Sequence, residues 1–277
     1  MTNPLSQYFR TAKVYTSLPT DCQFYDPTMI ETSVNGEVAV YPLTTIDQIM
    51  LKTPDAILNG EAMIKVFHSC VPGVKDVKNL VEPDINALLL AIRIASNGPT
   101  MEIDTKCPKC EAEHTFDVNL TAILETAEKL TELPAIEMDG LVIHVRPYNF
   151  EQRNLQLLNE VDESRSIRIL NDNIEMDENK KLEELAVHIN KMANRTFDIV
   201  AKSITSITIT KTGESVTNQS YISEFLKGIG KSQADVIIDQ IKQLNQMGVN
   251  TKTHFECSSC GHQWDQSIDF DPTSFFA

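Results

Sequence analysis

Two C-x-x-C pairs, Cys107-Pro108-Lys109-Cys110 and Cys257-Ser258-Ser259-Cys260, constrain this chain more than any other feature, because they require two distant stretches to meet. A zinc ion takes about four soft or borderline ligands at tetrahedral corners. A C-x-x-C turn presents two thiolates to one ion while its backbone amides offset their charge. One pair supplies half a site, and two pairs complete it. Cys107, Cys110, Cys257 and Cys260 are therefore read as the ligands of a closed, structural Zn2+ site. Four protein thiolates leave no open coordination position, so catalysis by the ion is not expected. A redox dithiol is the weaker reading, since nothing around Cys107 supplies a βαβ setting. His114 and His262 follow closely after their knuckles and are the alternative ligands; with four thiolates available, their expected place is on the surface or beside the site.

The flanking residues alternate as strands do. Met101, Ile103 and Thr105 lead into the first knuckle, and Phe116, Val118 and Leu120 lead away from it. Thr253 and Phe255 lead into the second, and Trp264 to Phe270 lead away. Two matching hairpins of this kind make a zinc ribbon. Cys22 and Cys70 stand alone and need only burial as small apolar side chains.

Disulfides are the rival use of six cysteines; a reducing compartment would keep the thiols available for metal, and the grouping of four of them in two C-x-x-C pairs decides for metal. Met1 to Ser6, with Arg10 and Lys13, lack the apolar core of a signal peptide, and no window approaches the roughly 20 apolar residues of a membrane span. A soluble protein made in a cytoplasm is expected. The net charge of -15 repels a phosphate backbone, which argues against broad nucleic-acid binding. With 42% hydrophobic residues, the 277-residue chain can bury a core.

Local signals then place the elements. Asn35-Gly36 between Ile30, Val34 and Val38, Val40 predicts a hairpin. Thr44 with Asp47 predicts a capping box before a helix near 46–52, and Thr53-Pro54 the start of a helix over 54–70. Pro83 opens an apolar segment, Ile85 to Ile94, that ends at Asn97-Gly98 and reads as a helix buried on most faces. A helix over 121–131 follows, and Asp139-Gly140 predicts a second hairpin. Asn149 with Gln152 caps a helix reaching Asn171. Leu182, Leu185, Ile189, Met192, Thr196, Ile199 and Ile204 mark one face of the next helix, which forms an antiparallel hairpin with the first. Lys211 to Glu214 form a turn, Tyr221 to Leu226 a short helix, and Ser232 with Asp235 cap a last helix.

These readings give an α+β fold class: an N-terminal mixed α/β core, a four-cysteine zinc ribbon of two β-hairpin knuckles, and a helical insertion carrying a long helical hairpin. The expected domains are 1–120, a core with the first knuckle; 121–250, the mainly helical insertion; and 251–277, the second knuckle and tail. Catalytic motifs are missing: there is no phosphate loop, dinucleotide fingerprint, nucleophile elbow or H-E-x-x-H. His68, His144 and His188 are scattered, and Glu183-Glu184 belongs on a wet helix face. Phe275-Phe276 either folds back on the core or docks into a partner, and the helical hairpin is either ordinary packing or a grip on another protein.

Several separated motifs also resemble a known family. Leu18-Pro19 to Phe24-Tyr25, Tyr41-Pro42-Leu43-Thr44-Thr45 to Asp47, Thr53-Pro54-Asp55-Ala56-Ile57-Leu58-Asn59-Gly60, Ser69-Cys70-Val71-Pro72 and Asp84-Ile85 are similar to the N-terminal part of T-even-type bacteriophage baseplate hub and hub assembly proteins. The first knuckle, and the ending from Phe255 through Cys257, Cys260-Gly261, Trp264 and Asp271-Pro272 to Phe275-Phe276, match theirs too. The resemblance covers about the first 120 residues and the last 25 or so, and leaves the insertion bare. It implies a non-enzymatic component of a contractile-tail baseplate, built in the host cytoplasm, that binds other hub or tail proteins, with the tape-measure protein as a further partner. A hub assembly chaperone that leaves before the tail is complete is the neighbouring reading. A zinc-ribbon regulator acting on nucleic acid is the alternative from another class.

Overall fold

The computed structural model describes residues 5, 8–53, 60–172, 177–268 and 275–276, with the backbone alone at 169–172, 178 and 179. It is an α+β protein in two compact units, one formed by Met1–Leu130 with Gln246–Ala277 and the other by Thr131–Asn245.

In the first unit, β1 (Val14–Ser17) pairs antiparallel with β2 (Glu37–Val40). This corrects the expected local hairpin. Asn35-Gly36 does turn, with Gly36 at a φ of 76°, but Val34 is fully exposed and Ile30 bridges to Val74 instead. The turn residues set the direction of the chain, while burial of Val38 and Val40 selects the non-local partner. α1 (Thr45–Met50) opens with the capping box of Thr44 and Asp47, as its sequence predicts. α2 (Glu61–Cys70) follows, buried through Ala62, Met63, Val66, Phe67 and Cys70. Of the helix expected over 54–70, residues 54–59 lie outside the described ones.

α3 (Glu82–Asn97) is the core of this unit: Ile85, Leu88, Leu90 and Ile92 are at most 1% exposed, and Pro83 sits in the first turn, where its missing N–H costs nothing. Its one buried carboxylate is tied down. Asp84 Oδ1 accepts from the Thr20 amide at 3.0 Å, and Oδ2 accepts from the Thr20 hydroxyl at 2.5 Å and the Tyr25 hydroxyl at 2.6 Å. Burial lifts the Asp84 carboxyl to about 6, against the pull of those hydrogen bonds. An unfolded carboxyl titrates near 4, so between these values the native state binds more protons than the unfolded one. Stability therefore falls as pH rises from about 4 to about 6, by on the order of 2–3 kcal/mol from this group. The stability difference between the parent and Asp84→Asn, followed by urea unfolding across that window, is expected to shift against the parent as pH rises; a constant difference would contradict it.

β3 (Thr100–Lys106) and β4 (Glu113–Asn119) form the first knuckle hairpin, in register from Thr100 opposite Asn119 to Lys106 opposite Glu113. α4 (Leu120–Glu125) is shorter than the expected 121–131 helix: the Thr126 hydroxyl bonds back to the Ala122 carbonyl, and Leu130 N–H is captured by the Pro19 carbonyl.

The second unit is built on a four-stranded antiparallel sheet in the order β5 (Ala135–Met138), β6 (Leu141–Val145), β7 (Ile204–Ile209), β8 (Ser215–Val216). The β5–β6 turn falls at Asp139-Gly140, both at positive φ, as the sequence predicts. β7 is a correction: Ile204 ends no helix, but is fully buried in the strand opposite Val145. α5 (Phe150–Asp172) and α6 (Glu178–Ala201) pack as the expected antiparallel hairpin, with Gln152 bonding to the Ile199 carbonyl and Arg195 to Asn159. Asn149 and Gln152 exchange side chain-to-backbone hydrogen bonds, closing the expected box at the start of α5. α7 (Gln219–Gly228) is capped by Asn218. α8 (Lys231–Gln246) buries Ala234, Ile237, Ile241 and Leu244, and its first turn is closed by Gln233 accepting from the Gly230 amide, not by Ser232 and Asp235.

The chain then returns to the first unit as β9 (Lys252–Glu256) and β10 (Gln263–Ser267), the second knuckle hairpin. Phe275 and Phe276 are 0% and 5% exposed, and Arg93 Nε of α3 donates to the Phe275 carbonyl at 2.9 Å. Of the two readings of this tail, folding back on the core is the one observed.

Candidate metal centre

The two knuckles are built alike. In each, the first cysteine's carbonyl accepts from the residue after the second cysteine, at 2.9 Å for Glu111 and 2.8 Å for Gly261. Each first cysteine's amide is in turn held by a carbonyl across the turn, that of Ala112 for Cys107 and that of His262 for Cys257. Closing so tight a turn puts Glu111 at a φ of 57° and Gly261 at 68°. Glycine takes that conformation without steric cost, and glutamate does not. Glu111→Gly is thus expected to stabilise the metal-loaded protein by about 1 kcal/mol, raising its melting temperature by roughly 2–4 °C. Gly261→Ala, though its Cβ would meet open space, is expected to lower it by a similar amount.

The hairpins bring the four sulfurs together. Cys107 Sγ lies 3.7 Å from Cys260 Sγ and Cys110 Sγ 3.6 Å from Cys257 Sγ, and all four lie within 4.8 Å of one another. A tetrahedron of sulfurs about 2.3 Å from zinc has edges of about 3.8 Å. The spacing fits a metal at the centre. Cys107 and Cys257 are buried, while Cys110 and Cys260 form the exposed rim.

Electrostatics point the same way. Burial raises the Cys257 thiol, but the amides of Cys260 and Ser259, with His114, outweigh it and bring it down to about 5. The Ala112 amide lowers Cys110, yet the sulfurs of Cys260, Cys257 and Cys107 carry it up to about 12. Sulfurs this close cannot all ionise without a cation among them, and a divalent ion would supply the missing charge.

His114 lies beside the cage, one of the two places expected for it. Its Nε2 lies 3.1 Å from Cys257 Sγ, so with the proton on Nε2 the ring donates to that thiolate, an outer hydrogen bond of the kind that orients metal ligands. Its position on the first strand leaving the knuckle was the available signal. His262 instead stacks on Trp264. Phe116, Phe255 and Trp264 pack as one aromatic cluster across the hairpins, with centroids 4.7 to 6.0 Å apart, and Thr105 donates to Gln266 at 2.6 Å. His68, His144 and His188 lie on α2, β6 and α6, and Glu183 and Glu184 are exposed. Cys70 is buried and Cys22 half-buried, and burial holds both thiols up at about 11, which leaves them protonated.

The chain from residue 41 to residue 277 matches the family described as T4 bacteriophage base plate protein. The chain belongs to that family. The match runs through the helical insertion, which the separated motifs left bare, and begins after Leu18 to Tyr25. No curated protein and no solved structure matches the chain.

Proposed function

We propose that this protein is a non-enzymatic subunit of the central hub of a contractile-tail baseplate, acting by protein-protein contact, with Cys107, Cys110, Cys257 and Cys260 holding one structural zinc. The observation that carries this reading is the family match over residues 41–277, together with a sulfur cage that ties the two chain segments of one unit. Membership places the chain among baseplate proteins, and a closed thiolate cage supports a scaffold instead of an open catalytic metal. The partners are other hub or tail proteins, with the tape-measure protein among them, met first in the host cytoplasm and kept in the virion tail. The net charge of -15 weighs against the nucleic-acid regulator. The core with its two knuckles is the stapled scaffold, and the insertion adds partner-specific contacts to it.

Quantitative mass spectrometry of purified virions tests the hub assignment. Recovery of this chain in fixed ratio to other baseplate proteins is expected. Its absence from finished particles, with presence in infected-cell extracts, would overturn retention and make the protein an assembly factor.

A further inference from the structure

We infer that the open edge of β1 is a docking slot for an extended peptide segment of another protein, which adds to the sheet as a third strand between β1 and α4. Among the described residues β1 has one strand partner, β2, so on its other side alternate residues present backbone N–H and C=O groups with no ladder. A groove runs along that side. It is lined by every residue from Lys13 to Ser17, whereas β2 contributes only Glu37. A groove over a sheet face would take alternate residues from both strands; consecutive residues of one strand mark an edge. The opposite wall is α4 and the chain after it, through Thr121, Leu124 and Lys129.

One end of the slot already shows the pairing it invites. Leu130 N–H donates to the Pro19 carbonyl at 2.8 Å, so the chain beyond α4 makes one backbone rung beside the extension of β1 and then diverges from it. The space between is bounded by a strand edge on one side and a helix on the other, the arrangement in which extended peptides add by main-chain hydrogen bonds while alternate side chains enter pockets. Ile94 and Leu124 give the slot apolar wall, and its charges are mixed, Lys13 and Lys129 against Glu37 and Glu125. The occupant is therefore an extended segment alternating apolar and polar residues, selected by shape and backbone bonding more than by charge.

The test uses the full-length, metal-loaded chain and a displayed library of linear peptides of about eight residues. The expected result is enrichment of alternating apolar-polar sequences whose binding slows exchange of the Val14–Ser17 backbone amides with solvent. Thr121→Trp, which fills the slot from the helix side without touching the β1–β2 ladder, is expected to weaken binding at least about tenfold. Absence of enrichment, protection confined to other residues, or unchanged affinity in Thr121→Trp overturns the inference. The amide footprint on the unaltered chain decides the matter even if the variant fails to fold.

Discussion

Replacing Cys257 by serine is expected to release the metal and unfold the ribbon of β3, β4, β9 and β10, the largest effect of any single change considered. Binding free energy at a site that exists only in the folded state is folding free energy, on the order of 10 kcal/mol for a structural zinc. That exceeds the roughly 0.5–3 kcal/mol of an ordinary substitution. The geometry explains why so much rests on one sulfur. Each knuckle hairpin is a two-stranded sheet, marginal by itself. Direct links between them include the sulfur cage, His114 on Cys257 and Ser258, Thr105 on Gln266 and the Phe116, Phe255, Trp264 cluster. Hydrogen exchange before and after chelation checks this: β3, β4, β9 and β10 should lose protection, while the sheet of β5 to β8 should keep it. Cys22→Ser, a half-buried thiol outside the cage, should leave the pattern unchanged.

The second large effect is at the other end of the returning segment. Phe275→Ala is expected to cost about 3–5 kcal/mol, the usual range for truncating a buried phenylalanine in a core that only partly collapses. Phe275 is fully buried, its ring meets that of Phe276 edge-on at 5.2 Å, and its carbonyl accepts from Arg93 on the central helix α3. Chemical denaturation of the metal-loaded protein measures the loss. A change within about 0.5 kcal/mol, the level of a surface site, would contradict the burial.

Features written in local chemistry were legible in the sequence. Thr44 with Asp47, Asn149 with Gln152, and Asp139-Gly140 each specify a cap or turn within a few residues, and each forms. The clustering of Cys107, Cys110, Cys257 and Cys260 was legible for the same reason, since each C-x-x-C turn is local. What was not legible depends on distant partners. The pairing of β1 with β2 competes with the nearer hairpin suggested by Asn35-Gly36, and only burial of Val38 and Val40 against α3 decides between them. Ile204-Thr-Ser-Ile-Thr-Ile is rich in β-branched residues, and the five-residue step from Ile199 to Ile204 already breaks the 3-4 spacing of the α6 face, so the strand was signalled but overridden by extending the helix one apolar residue too far. The Phe275-Phe276 tail could not be assigned from sequence because apolar ends read alike whether their pocket belongs to the same chain or another. Burial beside Arg93 assigns it here, whereas Leu157, Val161, Leu182, Val187 and Ile189 are exposed on the helices of the insertion.

X-ray absorption at the zinc edge of the purified full-length protein tests the central claim most directly. The expected spectrum is a single shell of about four sulfurs near 2.3 Å from one zinc per chain, with His114 outside it. A shell mixing nitrogen with sulfur, or protein that is fully folded with no bound zinc, would contradict the account.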